Sequence, residues 1–133
     1  MEEAKKGFLP MSQGIHLSKT QCPLTTDERE HMSRIPYASA IGSIMYAMIC
    51  THSDISYAHS VTRRYQSDPG EGHLTVVKNV FKYLRRTKDM FLVYGGEEEH
   101  VVTCYTDASF QTYQDDSKSQ SGYVFMINNG AVS

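Results

Sequence analysis

The chain has 133 residues, enough for one domain of ordinary size. Its hydrophobic content of 40% and charged content of 21% are globular values and exclude wholesale disorder. The formal net charge of −2 hides a split: residues 1–89 carry 12 Lys/Arg against 9 Asp/Glu, while residues 90–133 carry 1 against 6. Such a split points to one region suited to polyanions and one suited to cations such as metals, although two differently charged solvated faces give the same pattern.

There is no Trp and there are seven Met, which implies a modest, loosely specified core. The three cysteines, Cys22, Cys50 and Cys104, are far apart and odd in number. They read as free thiols of a reducing compartment rather than zinc ligands or a disulfide framework. No apolar secretory stretch opens the chain, and the longest apolar run, Ala38 to Cys50, is too short to span a bilayer. The expectation is an intracellular protein, cytoplasmic or nuclear, with no membrane partner.

Residues 1–34 lack a sustained period and are punctuated by Gly7, Pro10, Gly14 and Pro23, so they predict an irregular arm. Thr26 followed by Asp27, Glu28 and Glu30 predicts a cap and a short helix near 26–33. Residues 35–89 then read as a three-helix block. Pro36 opens the first of these helices, with Ile41, Ile44, Met45 and Met48 at helical spacing. With small Ala38, Gly42 and Ala47 beside them, this helix is expected to be buried nearly all round. Ser53 reads as the cap of the next helix, whose inner face is Ile55, Ala58, Val61 and Tyr65. Asp68-Pro69-Gly70 breaks the chain, and the third helix of the block runs from about His73 to Arg86 on a stripe of Leu74, Val77, Val80, Phe81 and Leu84.

Between Arg63 and Lys88 there are seven basic residues and only Asp68 and Glu71 against them. Arg63, Arg64, Lys78, Lys82, Arg85 and Arg86 are therefore the candidate phosphate-facing residues. A solvated face with basic ends matched to the helix dipoles is the simpler reading of the same residues.

Residues 90–133 read as β-structure. Met90 to Tyr94 predicts a strand, Gly95-Gly96 a turn, and 100–106 a strand delivering Asp107 at its C-terminal end. Residues 111–120 predict a polar loop, and Gly122 to Ile127 a strand closed by a turn at Asn128-Asn129-Gly130. The short return strand ending at Ser133 leaves an open sheet edge, the pattern expected of a chain cut from a larger domain.

Chemical motifs are sparse. No phosphate-cradling glycine loop, GxSxG, HExxH or EF-hand pattern occurs. The six histidines are scattered; His52 and His59 are seven apart without an obvious carboxylate partner. Asp115-Asp116 reads as a solvated pair. Asp107 is the candidate metal ligand, because a strand tip can hold a carboxylate rigidly. Two-metal hydrolysis, however, needs several carboxylates together.

The run Ile35 to Thr51, with Asp54-Ile-Ser-Tyr-Ala58, Arg64 to Gly70, His73, Val77-Lys78 and Lys82 to Thr87, resembles the Pol polyproteins of copia-type LTR retrotransposons. Lys5 to Ser12 and Gly14 to Ser18 are similar to plant members, and Tyr105 to Ser109, Ser119 to Phe125 and Gly130 to Ser133 complete the likeness across essentially the whole chain. The resemblance implies an α+β fold: a helical block like the thumb and connection region of reverse transcriptase, then an antiparallel hairpin region like the first strands of RNase H. It implies a duplex-gripping role for the helical block, with RNA–DNA or DNA duplex as partner. It also implies that Asp107 is the first carboxylate of an RNase H site that uses Mg2+. The paired palm aspartates and the later RNase H acids have no counterpart here. Where plant members have Arg-Pro before the Asp-Ile pair, this chain has His52-Ser53, and Cys104 stands in place of Gly. The resulting expectation is a non-catalytic segment needing no cofactor, with residual RNase H activity as one alternative. A domesticated protein-interaction module using Tyr105, Phe110, Tyr123 and Phe125 is the other.

Overall fold

The computed structural model describes residues 7–91, 93, 101–109, 115, 119–128 and 130–132. It divides into two units, Met1–Asp89 and Met90–Ser133. Among the described residues there are four α-helices and a three-stranded antiparallel sheet, an α+β fold.

In the first unit an arm carrying a 3-10 turn at Lys19–Gln21 leads into α1 (Thr26–Ser33). The cap is Thr25, one residue earlier than the sequence suggested. From Thr25 the third helical residue is Glu28, and the pair reciprocates. The Glu28 N–H donates to the Thr25 hydroxyl at 3.2 Å, and the Thr25 N–H donates to the Glu28 carboxylate at 3.1 Å. The Thr25 N–H and the Leu24 N–H, which donates to the same carboxylate at 2.9 Å, hold the Glu28 carboxyl below its usual pKa.

Helix α2 (Tyr37–Cys50) follows Pro36. A 3-10 turn at Ser53–Ile55 precedes α3 (Ser56–Thr62), so Ile55, not Ser53, occupies the cap position of α3. Ile55 is fully buried there, and its burial sets where the helix starts. A third 3-10 turn, Arg63–Tyr65, leads to α4 (Glu71–Thr87), longer at both ends than the apolar stripe alone predicts.

The core is built from Met32, Tyr37, Ile41, Ile44, Ile55, Ala58, Leu74, Val77 and Val80. The α3 face read from sequence is buried in full, and Phe81 and Leu84 pack half-buried against the same core. Tyr37 is 2% exposed and donates its hydroxyl to the Thr62 carbonyl at 2.9 Å, which satisfies its one polar atom.

Helix α2 departs from the expectation of burial all round. Tyr37, Ile41 and Ile44 face α3 and α4, but Ala38, Gly42, Met45, Tyr46 and Ile49 are exposed. A single apolar stripe suffices to seat it, and among the described residues nothing covers the rest.

The second unit is the sheet β1 (Val102–Ser109), β2 (Gln120–Ile127), β3 (Gly130–Ala131), in that order. Register pairs Val102 with Ile127 and Ser109 with Gln120. Asp107 therefore sits inside β1 opposite Gly122 rather than at the strand's end, because pairing with β2 continues two residues further. Asn128 takes a φ of 47°, the left-handed turn conformation that Asn tolerates. Of the strand expected at 90–94, Met90, Phe91 and Val93 are described and are not in a strand. Residues 92 and 94, the Gly95-Gly96 turn, Phe110, Asp116 and most of the 111–120 loop lie outside the described residues.

Candidate nucleic-acid interface

The basic candidates fall into two groups. Lys78, Lys82, Arg85 and Arg86 share α4 at spacings of four, three and one, which spreads them over roughly a quarter of the helix circumference. Arg63 and Arg64 stand on the separate turn after α3.

Within the α4 stripe the cations are differently engaged. Lys78 pairs with Glu71 at 3.4 Å, two turns back on the same face and largely in solvent. The Lys82 ammonium donates to the Asn79 side-chain oxygen at 3.4 Å. Arg85 is half-buried and Arg86 exposed, both in the last turn where the helix dipole favours cations. The Arg86 guanidinium carbon lies 3.9 Å above the ring of Phe8. The arm thus reaches this face, where the Gly7 N–H donates to the Lys82 carbonyl at 3.2 Å. Nothing in the arm's sequence foretold that contact, because Phe8 and Arg86 lie far apart in the chain and the arm has no period.

The histidines hold the block together rather than forming a reactive pair. His52 lies before the turn into α3, not on one helix with His59. Its Nε2 bonds the Thr87 hydroxyl at 3.0 Å and its Nδ1 the Thr51 hydroxyl at 2.7 Å. The Thr87 hydroxyl also donates to the Tyr83 carbonyl at 3.1 Å and the Thr51 hydroxyl to the Ala47 carbonyl at 3.3 Å, so the His52 ring ties the end of α2 to the end of α4.

His73, unassigned by sequence beyond opening α4, is fully buried. Its Nδ1 accepts the Gly70 N–H at 2.9 Å, its Nε2 donates to the Ser18 carbonyl at 3.1 Å, and its ring stacks on Tyr65 with centroids 4.1 Å apart. The Tyr65 hydroxyl in turn donates to the Leu17 carbonyl at 2.8 Å. Tyr83 donates to the Asp54 carboxylate. Burial first, then that bond to a carboxylate, push the Tyr83 pKa up to about 12.

His59 is 5% exposed, and burial, with the Arg63 charge beside it, depresses its pKa below the ordinary 6.5. Below 6.5 the unfolded chain takes up a proton at His59 before the folded chain does. Stability from this group is therefore present above about pH 6.5 and is lost as pH falls towards the depressed folded value. Urea midpoints are expected to be lower at pH 5.5 than at pH 7.5, with a shallower dependence in His59→Gln. An equal slope in wild type and variant would refute this assignment.

Asp107 was tested as a metal ligand by its surroundings. It is exposed, its Oδ1 accepts the N–H of Ala108 at 2.8 Å, and by strand alternation it shares its face with Tyr105 and Val124. No group of three or more His, Cys, Asp or Glu able to hold a metal exists among the described residues. Mg2+ demands near-octahedral oxygen coordination, and among the described residues Asp107 belongs to no such group. On the other face of the sheet, Tyr123 and Phe125 meet edge to face with centroids 5.6 Å apart, both substantially exposed. No helix of the described residues is long and apolar enough to cross a membrane.

No protein-family model and no solved structure matches the chain. Curated relatives do. It is 41% identical, over all of its 133 residues, to the retrovirus-related Pol polyprotein from transposon TNT 1-94 of Nicotiana tabacum, of which it spans 10%. It is 30% identical, again over 100% of its length, to the retrovirus-related Pol polyprotein from transposon RE1 of Arabidopsis thaliana, of which it spans 9%. It is 35% identical over 102 residues to secreted RxLR effector protein 161 of Plasmopara viticola, covering 77% of this chain and 72% of that protein. The chain spans about a tenth of the length of the polyproteins it matches. Its homologues include retrotransposon Pol polyproteins and, over a shorter stretch, a secreted effector protein.

Proposed function

We propose that the helical unit is a thumb- and connection-like segment of a reverse transcriptase and that the sheet corresponds to the opening strands of an RNase H-like domain. In this reading the chain is non-catalytic alone and holds nucleic acid through the phosphate backbone without reading sequence. The α4 stripe of Lys78, Lys82, Arg85 and Arg86 carries the proposal, supplemented by Arg63 and Arg64.

Fluorescence anisotropy with a labelled RNA–DNA or DNA duplex tests this reading. Four phosphate contacts would lower affinity roughly 100-fold between about 50 mM and about 200 mM salt. Charge reversal in Lys82→Glu with Arg86→Glu should weaken binding and flatten the salt slope. Absence of binding at low salt, or binding indifferent to salt, would overturn the proposal.

A second reading is favoured by one observation. The exposed, uncharged face of α2 and the exposed aromatics Tyr105, Tyr123 and Phe125 offer apolar surface of the kind protein partners use. Pull-down partners that persist after nuclease treatment would support it over the first.

A further inference from the structure

We infer that the arm and α4 together form a site for an unpaired nucleic-acid strand, in which Phe8 stacks a base and Arg86 and Lys82 hold the adjacent phosphates. This rests on the nucleic-acid reading above and adds to it the state of the strand that is bound.

Phe8 is fixed in place from both sides. Gly7 donates its N–H to the Lys82 carbonyl, and Met11 packs against the core. Gly7 itself lies so close to α4 that a Cβ there would come within 3.1 Å of the Lys82 Cβ. A residue tethered this tightly is normally placed to bury its ring, yet Phe8 remains 74% exposed. The Arg86 guanidinium carbon lies 3.9 Å above one face of the ring.

That arrangement has a chemical use. Arginine stacked on an aromatic keeps its N–H edges directed outward, where they can meet phosphate oxygens, while the cation–π contact restricts its rotamers. The open face of the ring can receive a base, and any base will do, since every base presents a π-face. An aromatic platform beside tracking cations is the combination that binds single strands without sequence preference. A paired duplex cannot use it, because its bases are already stacked on one another. The site therefore discriminates an overhang or single strand from a blunt duplex, which the cationic stripe alone cannot do.

The full chain contains no Trp, so Phe8→Trp introduces a single indole reporter. Its fluorescence is expected to be quenched by an oligothymidine strand and by a duplex with a single-stranded tail, and not by the same duplex with blunt ends. Phe8→Ala should weaken binding of the tailed duplex and the single strand by roughly fivefold or more beyond any change in blunt-duplex affinity. Circular dichroism and urea midpoint establish that each variant is folded. Equal affinity for tailed and blunt duplexes, unaffected by Phe8→Ala, overturns this inference while leaving backbone binding intact. If none of the nucleic acids binds at low salt, the nucleic-acid reading falls and this inference falls with it.

Discussion

Gly70→Ala is expected to destabilise the helical unit by roughly 3 kcal/mol, at the upper end of the usual cost of overpacking. The backbone of Gly70, with φ −107° and ψ 177°, is open to any residue, so conformation is not the cause. Contact is. A Cβ at this position would lie 1.7 Å from the Gln21 carbonyl oxygen and 2.9 Å from its carbon. Neither side can yield by rotating a side chain. Gln21 is held in the 3-10 turn of the arm, where its N–H donates to Ser18 and the N–H of Cys22 donates to Lys19. Gly70 is held by α4, because its carbonyl accepts the Leu74 N–H at 3.0 Å and its own N–H donates to His73. The new methyl must push the arm off the helix or displace the first turn of α4. Urea denaturation followed by circular dichroism reads the loss as a lower midpoint. Gly42→Ala is the internal control: a Cβ there meets nothing within 4 Å, and Ala is the better helix former by about 1 kcal/mol, so stability should hold or rise. Equal midpoints for Gly70→Ala and wild type would refute the close approach.

His73→Phe is expected to cost roughly 1–3 kcal/mol although it keeps an aromatic ring to stack on Tyr65. What it removes is polar. The Gly70 N–H loses its acceptor in a buried bond, and the half-buried Ser18 carbonyl is left with the Gln21 N–H alone. A buried backbone group without a partner bears its full desolvation cost. Because Gly70 and His73 act at one seam, their effects should not add: the double variant is expected to lose clearly less than the two single losses combined. Additivity would mean that the two residues act at separate places. A loss below about 0.5 kcal/mol for His73→Phe would show the imidazole bonds to be unimportant.

Neither residue was legible as a structural centre in the sequence. Asp68-Pro69-Gly70 reads as a break and His73 as the first residue of a helix, which is true and incomplete. Their partners, Gln21 and Ser18, belong to a stretch with no period, and local pattern carries no information about what such a stretch will touch. The elements with a strong period were legible. Helix α1 lies at 26–33 as expected, and α4 was found from its stripe, with boundaries off by one or two residues. The cap of α1 missed by one because Thr25 and Thr26 are chemically equivalent, and only the reciprocal bond to Glu28 separates them. The burial of α2 was misread for a different reason: an apolar helix shows what it could cover, not whether a partner is present. In the candidate interface, the sequence identified the cations of α4 but not Phe8. The aromatic becomes part of that surface only when the arm folds back onto Lys82.

The fastening of the arm also bears on how the chain reaches this state. The Tyr65 hydroxyl meets the Leu17 carbonyl across 48 positions, and His73 meets Ser18 across 55. Such bonds raise contact order, so the loop between them must close before either can form. During synthesis, the segment around Ser18 emerges long before Tyr65 and His73 exist, so these two bonds wait until the later part of the chain has been made. The helices are local and quick to form, whereas docking of the arm belongs to the late part of folding. Native-state hydrogen exchange should accordingly find the amides of α4 protected beyond those of Gln21 and Cys22, the part of the unit that opens first.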